Sequence, residues 1–79
     1  MEYPITTEER AQADNLFSYH APHGDQAERY EAVRYEAREL WLALLKLCPR
    51  SAELTLARRD LEICVMRANQ SIAVNEVAG

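Results

Sequence analysis

The sequence predicts an all-α fold in which a short N-terminal helix precedes a long antiparallel hairpin of two helices. Apolar residues recur at three- and four-residue spacing over two long segments, which is the periodicity of an amphipathic helix. The chain has two Gly and three Pro in 79 residues, and helix-capping residues stand before each segment. We therefore expect one helical-hairpin domain that spans residues 1–79.

The first helix is predicted over about residues 6–17. Thr6 and Glu9 have the spacing of a capping box, in which the Thr hydroxyl and the Glu carboxylate each accept a hydrogen bond from the other residue's amide. The segment YHAPHGD then breaks the helical pattern, because Pro22 disfavours the α conformation at the preceding residue and Gly24 tolerates a positive φ. We expect a tight corner there.

The second helix is predicted over about residues 25–48. Asp25 is expected to cap it, because Glu28 follows three positions later. The helix should end before Pro49, which cannot continue it. One face is expected to pack against the rest of the chain, since apolar residues recur along it at helical spacing. They are Tyr30, Val33, Ala37, Leu40 with Trp41, Leu44 and Leu47.

The third helix is predicted over about residues 51–75, with Ser51 as its capping residue. The connection CPRS is so short that the second and third helices can only lie antiparallel as a hairpin. The apolar stripe of the third helix is the surface expected to face the second. It consists of Leu54, Ala57, Leu61, Val65, Ala68 and Ile72.

The two long helices carry more apolar surface than one hairpin can hide. The segment LWLALLKLC is apolar almost all round, and Leu56, Ile63 and Val74 lie off the main stripe of the third helix. Because a two-helix hairpin has one internal face, we expect other subunits to cover the surplus. The alternative is that the first helix covers it, although that helix is largely polar.

Charge and composition exclude several classes of protein. The net charge of −4, with nine basic and thirteen acidic residues, argues against a partner that is polymeric nucleic acid. No signal peptide is recognisable, and no apolar run approaches the ~20 residues of a membrane span, so we expect no membrane partner. Cys48 and Cys64 are not expected to pair within one chain, because the helices place them roughly 20 Å apart. We expect both to be reduced and buried.

The sequence lacks the usual equipment of a catalyst. It contains no glycine-rich phosphate loop and no nucleophile with a recognisable His partner. His20 and His23 are three residues apart in the corner, but a stable metal site needs three or four ligands. We therefore predict no enzymatic activity, no cofactor and no metal.

Arginine and aromatic residues suit a small phosphorylated ligand. Phe17 and Tyr19 stand at the corner, and Arg34 and Arg38 share one face of the second helix. A guanidinium group matches phosphate oxygens, and an aromatic ring can stack on a nucleobase. The alternative is that each Arg makes a surface ion pair with a neighbouring Glu. Arg67 and Asn69 on the third helix are likewise open to a structural or a ligand-binding interpretation.

Two motifs resemble a known family. The first is F-x-Y-H-x-P-x-x-D-Q-x-x-R-Y-E-x-x-R, from Phe17 to Arg34, and the second, after a Cys-Pro corner, is LARRDLEICVMRANQSIAVNE. Together they resemble the helical-hairpin domain of bacteriophage sponges for immune signalling nucleotides, over about sixty of the 79 residues. These sponges comprise anti-CBASS proteins, which hold cyclic di- and trinucleotides, and anti-Thoeris proteins, which hold glycocyclic ADP-ribose signals.

The resemblance implies a homo-hexamer, built as a trimer of dimers, with ligand pockets at the subunit junctions. Members hold the messenger without cleaving it, in the cytoplasm of the bacterial host, so that the CBASS effector is not activated. The residues that it implies for ligand binding lie at the corner, on the second helix and in a second pocket on the third helix. They are Phe17, Tyr19 and His20, then Arg34, then Arg67 with Asn69.

Two positions depart from the family pattern. His23 stands where many relatives have Lys, and Arg67 stands where a larger apolar or aromatic residue is common. The anti-Thoeris branch tends to carry extra N-terminal structure, which we do not expect in this protein, and this expectation favours cyclic oligonucleotides over glycocyclic ADP-ribose. A helical interaction module that docks on a host protein is the rival from another class, and a nucleotide-cleaving enzyme is the least favoured.

Overall fold

Three helices follow one another in a computed structural model that describes residues 2–76. They are α1 (Thr7–Leu16), α2 (Gln26–Leu47) and α3 (Ala52–Asn75). No strand occurs among residues 2–76, and the predicted order of one short and two longer helices is confirmed. The predicted bounds differ from these by single residues, because the capping residues lie outside the helices themselves.

The start of α1 is the predicted capping box. The Thr6 amide donates to Glu9 Oε1 at 3.0 Å, and the Glu9 amide donates to Thr6 Oγ1 at 3.1 Å. The hydrogen bond from the Thr6 amide holds the pKa of Glu9 below its ordinary value. No residue of α1 is buried, so this helix forms from local signals and does not cover the hairpin.

The corner before α2 differs from the prediction in one respect. Asp25 is the N-cap residue, but its side chain makes no capping hydrogen bond; its Oδ1 instead accepts from Arg29 Nε at 3.1 Å. The neighbouring Gln26 side chain stabilises the turn instead, because its Oε1 accepts a hydrogen bond from the His23 amide at 3.1 Å. Gly24 has a φ of 57°, as predicted for the corner.

The short connection between α2 and α3 satisfies both helix ends. Arg50 Nη1 donates to the Leu45 carbonyl of α2 at 2.7 Å. Ser51 Oγ accepts from the Leu54 amide at 3.1 Å and thereby caps α3 as predicted. The two long helices consequently pack against each other as an antiparallel hairpin, which the sequence predicted from the same four residues.

The seam between α2 and α3 contains the predicted stripe of α3 in full. Leu54 is buried, and the other five stripe positions are half-buried. On α2 the stripe is correct at most positions, but Leu40 and Leu47 are 50% and 79% exposed. These two residues lie on one side of the seam, since the helix rotates by about 100° per residue. The α2 residues from the predicted stripe that are half-buried are Tyr30, Val33, Ala37, Trp41 and Leu44.

A large apolar surface remains open on the single chain. Leu54, at 7% exposure, is the one buried hydrophobic side chain in the part of the chain that the structure describes. The accessible surface is 6602 Å², against about 4,900 Å² for a compact monomer of this size. Leu56 and Ile63 are exposed as expected, whereas Val74 is half-buried. The surplus predicted from the sequence is therefore present, and α1 does not hide it.

The two cysteines are free. Cys48 is half-buried at the end of α2, but Cys64 is exposed, so the prediction of burial is wrong for Cys64. This residue flanks the stripe of α3 on the side where Leu40 of α2 is also exposed. Its thiol therefore belongs to the surplus apolar surface and not to the seam.

Side chains from α1, the corner and the start of α2 hold the C-terminal end of α3. Asn15 Nδ2 donates to the Val74 carbonyl at 2.9 Å. The Glu76 carbonyl accepts hydrogen bonds from Gln26 Nε2 at 3.1 Å and from His23 Nε2 at 2.6 Å. Carbonyls at a helix C-terminus have no partner within the helix. The three side-chain donors supply these partners. We call Asn15, His23 and Gln26, together with their acceptors Val74 and Glu76, the C-terminal latch.

An ion pair between Arg29 and Glu76 adds to the C-terminal latch. The Arg29 guanidinium donates twice to the Glu76 carboxylate, and its Nη1 lies 3.0 Å from Oε2. This hydrogen bonding lowers the pKa of Glu76 from its ordinary value of 4.5 and raises the pKa of Arg29. Gln26 lies beneath the pair and is 3% exposed. The latch thus joins residues about fifty positions apart around one buried amide.

Acid should weaken the latch. Because the folded-state pKa of Glu76 is depressed, its contribution to stability is present above pH 4.5 and is lost as the pH falls through the lowered value. We expect Glu76→Gln to lower the urea midpoint at neutral pH and to flatten its decline in acid. Urea titrations at fixed protein concentration measure both effects. Glu36→Gln, which removes an exposed acid of α2 outside the latch, should leave the acid decline unchanged; equal slopes for Glu76→Gln and wild type would contradict the assignment.

The positive φ of Gly24 gives a second prediction. A Cβ at this position would meet no atom within 4 Å, so a substitution is limited by the backbone conformation alone. We expect Gly24→Ala to cost about 1–2 kcal/mol in the free energy of unfolding, measured by urea denaturation. Gly24→Asn should cost less, because Asn tolerates the left-handed region. Equal losses for Ala and Asn would show that the conformation is not the cause.

Candidate functional site

A small polar pocket lies between the corner and the end of α3. Its volume is about 240 Å³. The corner contributes aromatic and imidazole rings, and α3 contributes the wall next to the latch. We call it the corner pocket. Its lining residues are Tyr19, His20, Ala21, His23, Gln26, Ala73 and Glu76.

Hydrogen bonds fix the two histidine rings of the corner pocket. His20 Nε2 lies 2.6 Å from the Asn15 carbonyl, and His23 Nε2 lies 2.6 Å from the Glu76 carbonyl. Because a carbonyl oxygen only accepts, each ring donates its Nε2 hydrogen and has its Nδ1 as the acceptor when neutral. Residues 2–76 contain no group of three or more His, Cys, Asp or Glu side chains arranged to hold a metal.

The two aromatic residues predicted at the corner are separated by the structure. Tyr19 is 87% exposed and lines the corner pocket beside His20. Phe17 is 88% exposed and lies outside the lining of that pocket. In the single chain, Tyr19 and His20 are therefore brought together, whereas Phe17 projects from the end of α1.

The seam between α2 and α3 is open on two sides of different chemistry. One side carries Leu40 and Cys64 around an almost wholly apolar groove of about 420 Å³, which we call the apolar groove. The opposite side carries Arg34, Arg38 and Arg58. A phosphorylated ligand is attracted to cationic groups, so the arginine side is the candidate ligand-binding side.

The groove around Arg34 combines a cation with amides and an aromatic residue. Its volume is about 420 Å³. Arg34 Nη1 donates to Glu31 Oε1 at 2.6 Å, and both side chains of this pair are more than half exposed. Such pairs contribute little to stability, so the guanidinium is available to another anion. The Arg34 groove is lined by Tyr30, Arg34, Val65, Met66, Asn69, Gln70 and Ala73.

Asn69 has an unusual environment in the Arg34 groove. Its Oδ1 is buried and has no hydrogen-bond partner among the described residues. A buried acceptor without a donor costs roughly 1–3 kcal/mol. The side chain is thus unsatisfied within the single chain, on the same groove as Arg34.

The sequence grouped Arg67 with Asn69, but the structure places them in different grooves. Arg67 Nη1 donates to Gln70 Oε1 at 3.3 Å and faces an outer groove lined by Ile63, Met66, Arg67 and Gln70. Asn69 turns toward α2 and joins Arg34 instead. Residues two positions apart on a helix point about 200° away from each other, which explains the separation.

Several residues of these grooves were not predicted. Tyr30 precedes Arg34 by four residues, so helical spacing could have placed both on one groove. Gln70 borders the Arg34 groove and the outer groove alike. Gln26 and Glu76 of the corner pocket are joined by a contact between distant segments, for which the sequence carries no local signal.

Comparison with known proteins assigns the family. The model of the Acb2/Tad1 hairpin domain matches residues 9–73, which is most of the 79-residue chain. No curated protein and no solved structure matches the chain. Within residues 2–76, none of the helices combines the length and apolar character needed to cross a bilayer. The match spans both long helices and the corner, and the chain therefore belongs to the Acb2/Tad1 hairpin-domain family of phage cyclic-nucleotide sponges.

Proposed function

We propose that this protein is a phage anti-defence protein that binds cyclic di- and trinucleotide messengers without cleaving them. By lowering the free messenger concentration in the cytoplasm of the bacterial host, it prevents activation of the CBASS effector. Membership of the sponge family supports this role. The observation that assigns this role to particular residues is that Arg34, Tyr30 and Asn69 line one groove.

The Arg34 groove and the corner pocket together offer the three kinds of group that a nucleotide needs. The Arg34 guanidinium exchanges Glu31 for a messenger phosphate, with which it forms charge-assisted hydrogen bonds. The Asn69 and Gln70 amides offer donors and acceptors for base edges. In the corner pocket, the exposed ring of Tyr19 supplies a stacking surface beside His20. Phe17 and Arg67 complete the proposed contacts from surfaces that lie outside these two sites in the single chain.

A homo-hexamer, built as a trimer of dimers, would complete the binding sites. Surplus apolar surface lies beside the Arg34 groove and the outer groove, where Met66 and Ile63 are exposed. Burial of that surface between subunits is favourable and would exclude water from the grooves. Hydrogen bonds to phosphate are stronger in such an enclosed site than in water.

Two alternatives are supported by particular observations. A glycocyclic ADP-ribose signal of Thoeris also carries phosphate and adenine groups, so the same Arg34 and Tyr19 surfaces would serve it. A helical interaction module is favoured by the apolar groove, which has about 420 Å³ of open space beside Leu40. Ligand retention distinguishes these possibilities.

Retention of intact messenger is the central test. The protein is incubated with 3′,3′-linked cyclic di- and trinucleotides, freed of unbound material, denatured, and the released ligand is analysed by mass. We expect intact messenger from the wild type. Arg34→Ala should weaken binding about tenfold or more, because it removes a charge-assisted bond to phosphate. Arg10→Ala, an exposed arginine of α1, is the matched control and should retain ligand normally.

Other results would assign other functions. Release of a cleaved product would indicate an enzyme, and absence of any retained messenger would favour the interaction module. Retention of the glycocyclic signal alone would place the protein with the anti-Thoeris sponges. Should Tyr19→Ala and Arg34→Ala both bind as tightly as wild type, the proposed residues are wrong even if the messenger is held.

The mass in solution tests the proposed assembly. We expect a particle of about six times the 9.1 kDa chain mass by light scattering. Ile63→Asp should reduce that mass, because Ile63 is 51% exposed in the single chain and a charge there opposes burial between subunits. Ile5→Asp, at a similarly exposed residue before the family match, is the control. A monomeric wild type would overturn the hexamer.

A further inference from the structure

A second cationic groove lies on the arginine side of the hairpin, nearer the turn that joins α2 and α3. It is centred on Trp41, seven residues and therefore about 10 Å along α2 from Arg34. Its volume is about 300 Å³. We call it the Trp41 groove. Its lining residues are Ala37, Arg38, Trp41, Arg58, Leu61, Glu62 and Val65.

The charges around the Trp41 groove favour an anion. Arg38 and Arg58 line it together with one acid, Glu62, so the lining is net positive in a chain whose formal charge is −4. Arg58 and Glu62 are 3.9 Å apart and about half exposed. Arg38 pairs at 2.9 Å with Glu39, which is outside the lining. These exposed pairs are weak and can be exchanged for a phosphate.

The floor of the groove favours a planar apolar group. Trp41 is half-buried in the seam, so its indole ring is held in place and loses little freedom on binding. Ala37, Leu61 and Val65 continue the apolar floor beside it. Indole is a strong stacking partner for nucleobases. A volume of about 300 Å³ is at the lower end of the range for small-molecule sites, which suits a single nucleotide.

We propose that the Trp41 groove is a separate binding site for a nucleoside phosphate. The base stacks on Trp41, and the phosphate lies between the Arg38 and Arg58 guanidinium groups. The Glu62 carboxylate stands at the edge of the groove as an acceptor for an exocyclic amino group of the base. The apolar groove on the other side lacks an arginine in its lining and offers no such phosphate contact.

The single tryptophan of the chain makes this site directly observable. Because the sequence contains one Trp, quenching of its emission on stacking reports on this groove. The probe is adenosine 5′-monophosphate, with excitation at the red edge of the indole band, where adenine does not absorb. We expect saturable quenching by the monophosphate, weaker quenching by adenosine, and none by inorganic phosphate, which has no base to stack.

Variants separate this site from the Arg34 groove. Arg58→Ala should raise the dissociation constant for adenosine monophosphate about ten- to hundredfold, and Arg58→Lys should restore part of the loss. Arg10→Ala is the matched control and should titrate as wild type. Circular dichroism of each variant verifies that the helices are intact.

Three outcomes would overturn the proposal. Linear, non-saturating quenching that Arg58→Ala does not change would indicate collision with free ligand. Quenching by adenosine as strong as by its monophosphate would remove the role of the arginines. Weakening by Arg34→Ala without weakening by Arg58→Ala would place the ligand in the Arg34 groove. Because messenger retention is measured separately, failure here leaves the proposed sequestration of cyclic messengers untouched.

Discussion

The single seam between α2 and α3 is the constraint on which the molecule depends. Two helices bury one face of each, and in a body 13 Å thick there is no second layer to cover the rest. Leu54 is consequently the one buried hydrophobic residue of the described chain, and every groove opens to solvent. Surfaces that bind and surfaces that assemble must therefore share the same two helices, with the arginines on one side of the seam and the apolar groove on the other.

The C-terminal latch holds the end of α3 in place in this thin hairpin. Donors from the corner satisfy carbonyls at the end of α3, and Arg29 adds an ion pair with Glu76. The same contacts form one wall of the corner pocket, where His23 and Gln26 are positioned by the end of a helix that lies far away in sequence. The same hydrogen bonds thus determine both the stability of the C-terminal turn and the shape of the pocket.

The sequence predicted what depends on local spacing. The capping box at Thr6, the Ser51 cap, the hairpin turn and the α3 stripe follow from residues three or four apart, and they are present. The cap predicted at Asp25 is not. Exposure of Leu40 and Cys64, and the division of Arg67 from Asn69, depend on rotation about a helix axis, where an error of one position moves a side chain by about 100°. The Arg29–Glu76 contact joins residues 47 positions apart and leaves no trace in any short window.

The position of α1 has a consequence for how the molecule adapts. This helix buries no residue, and its direct hydrogen bond to the hairpin runs from Asn15 to the Val74 carbonyl. Reorienting it would sacrifice little packing energy. The angle between α1 and the hairpin is therefore held by few contacts. Conserving the hairpin while pivoting this arm would allow one sequence to fit differently shaped surroundings.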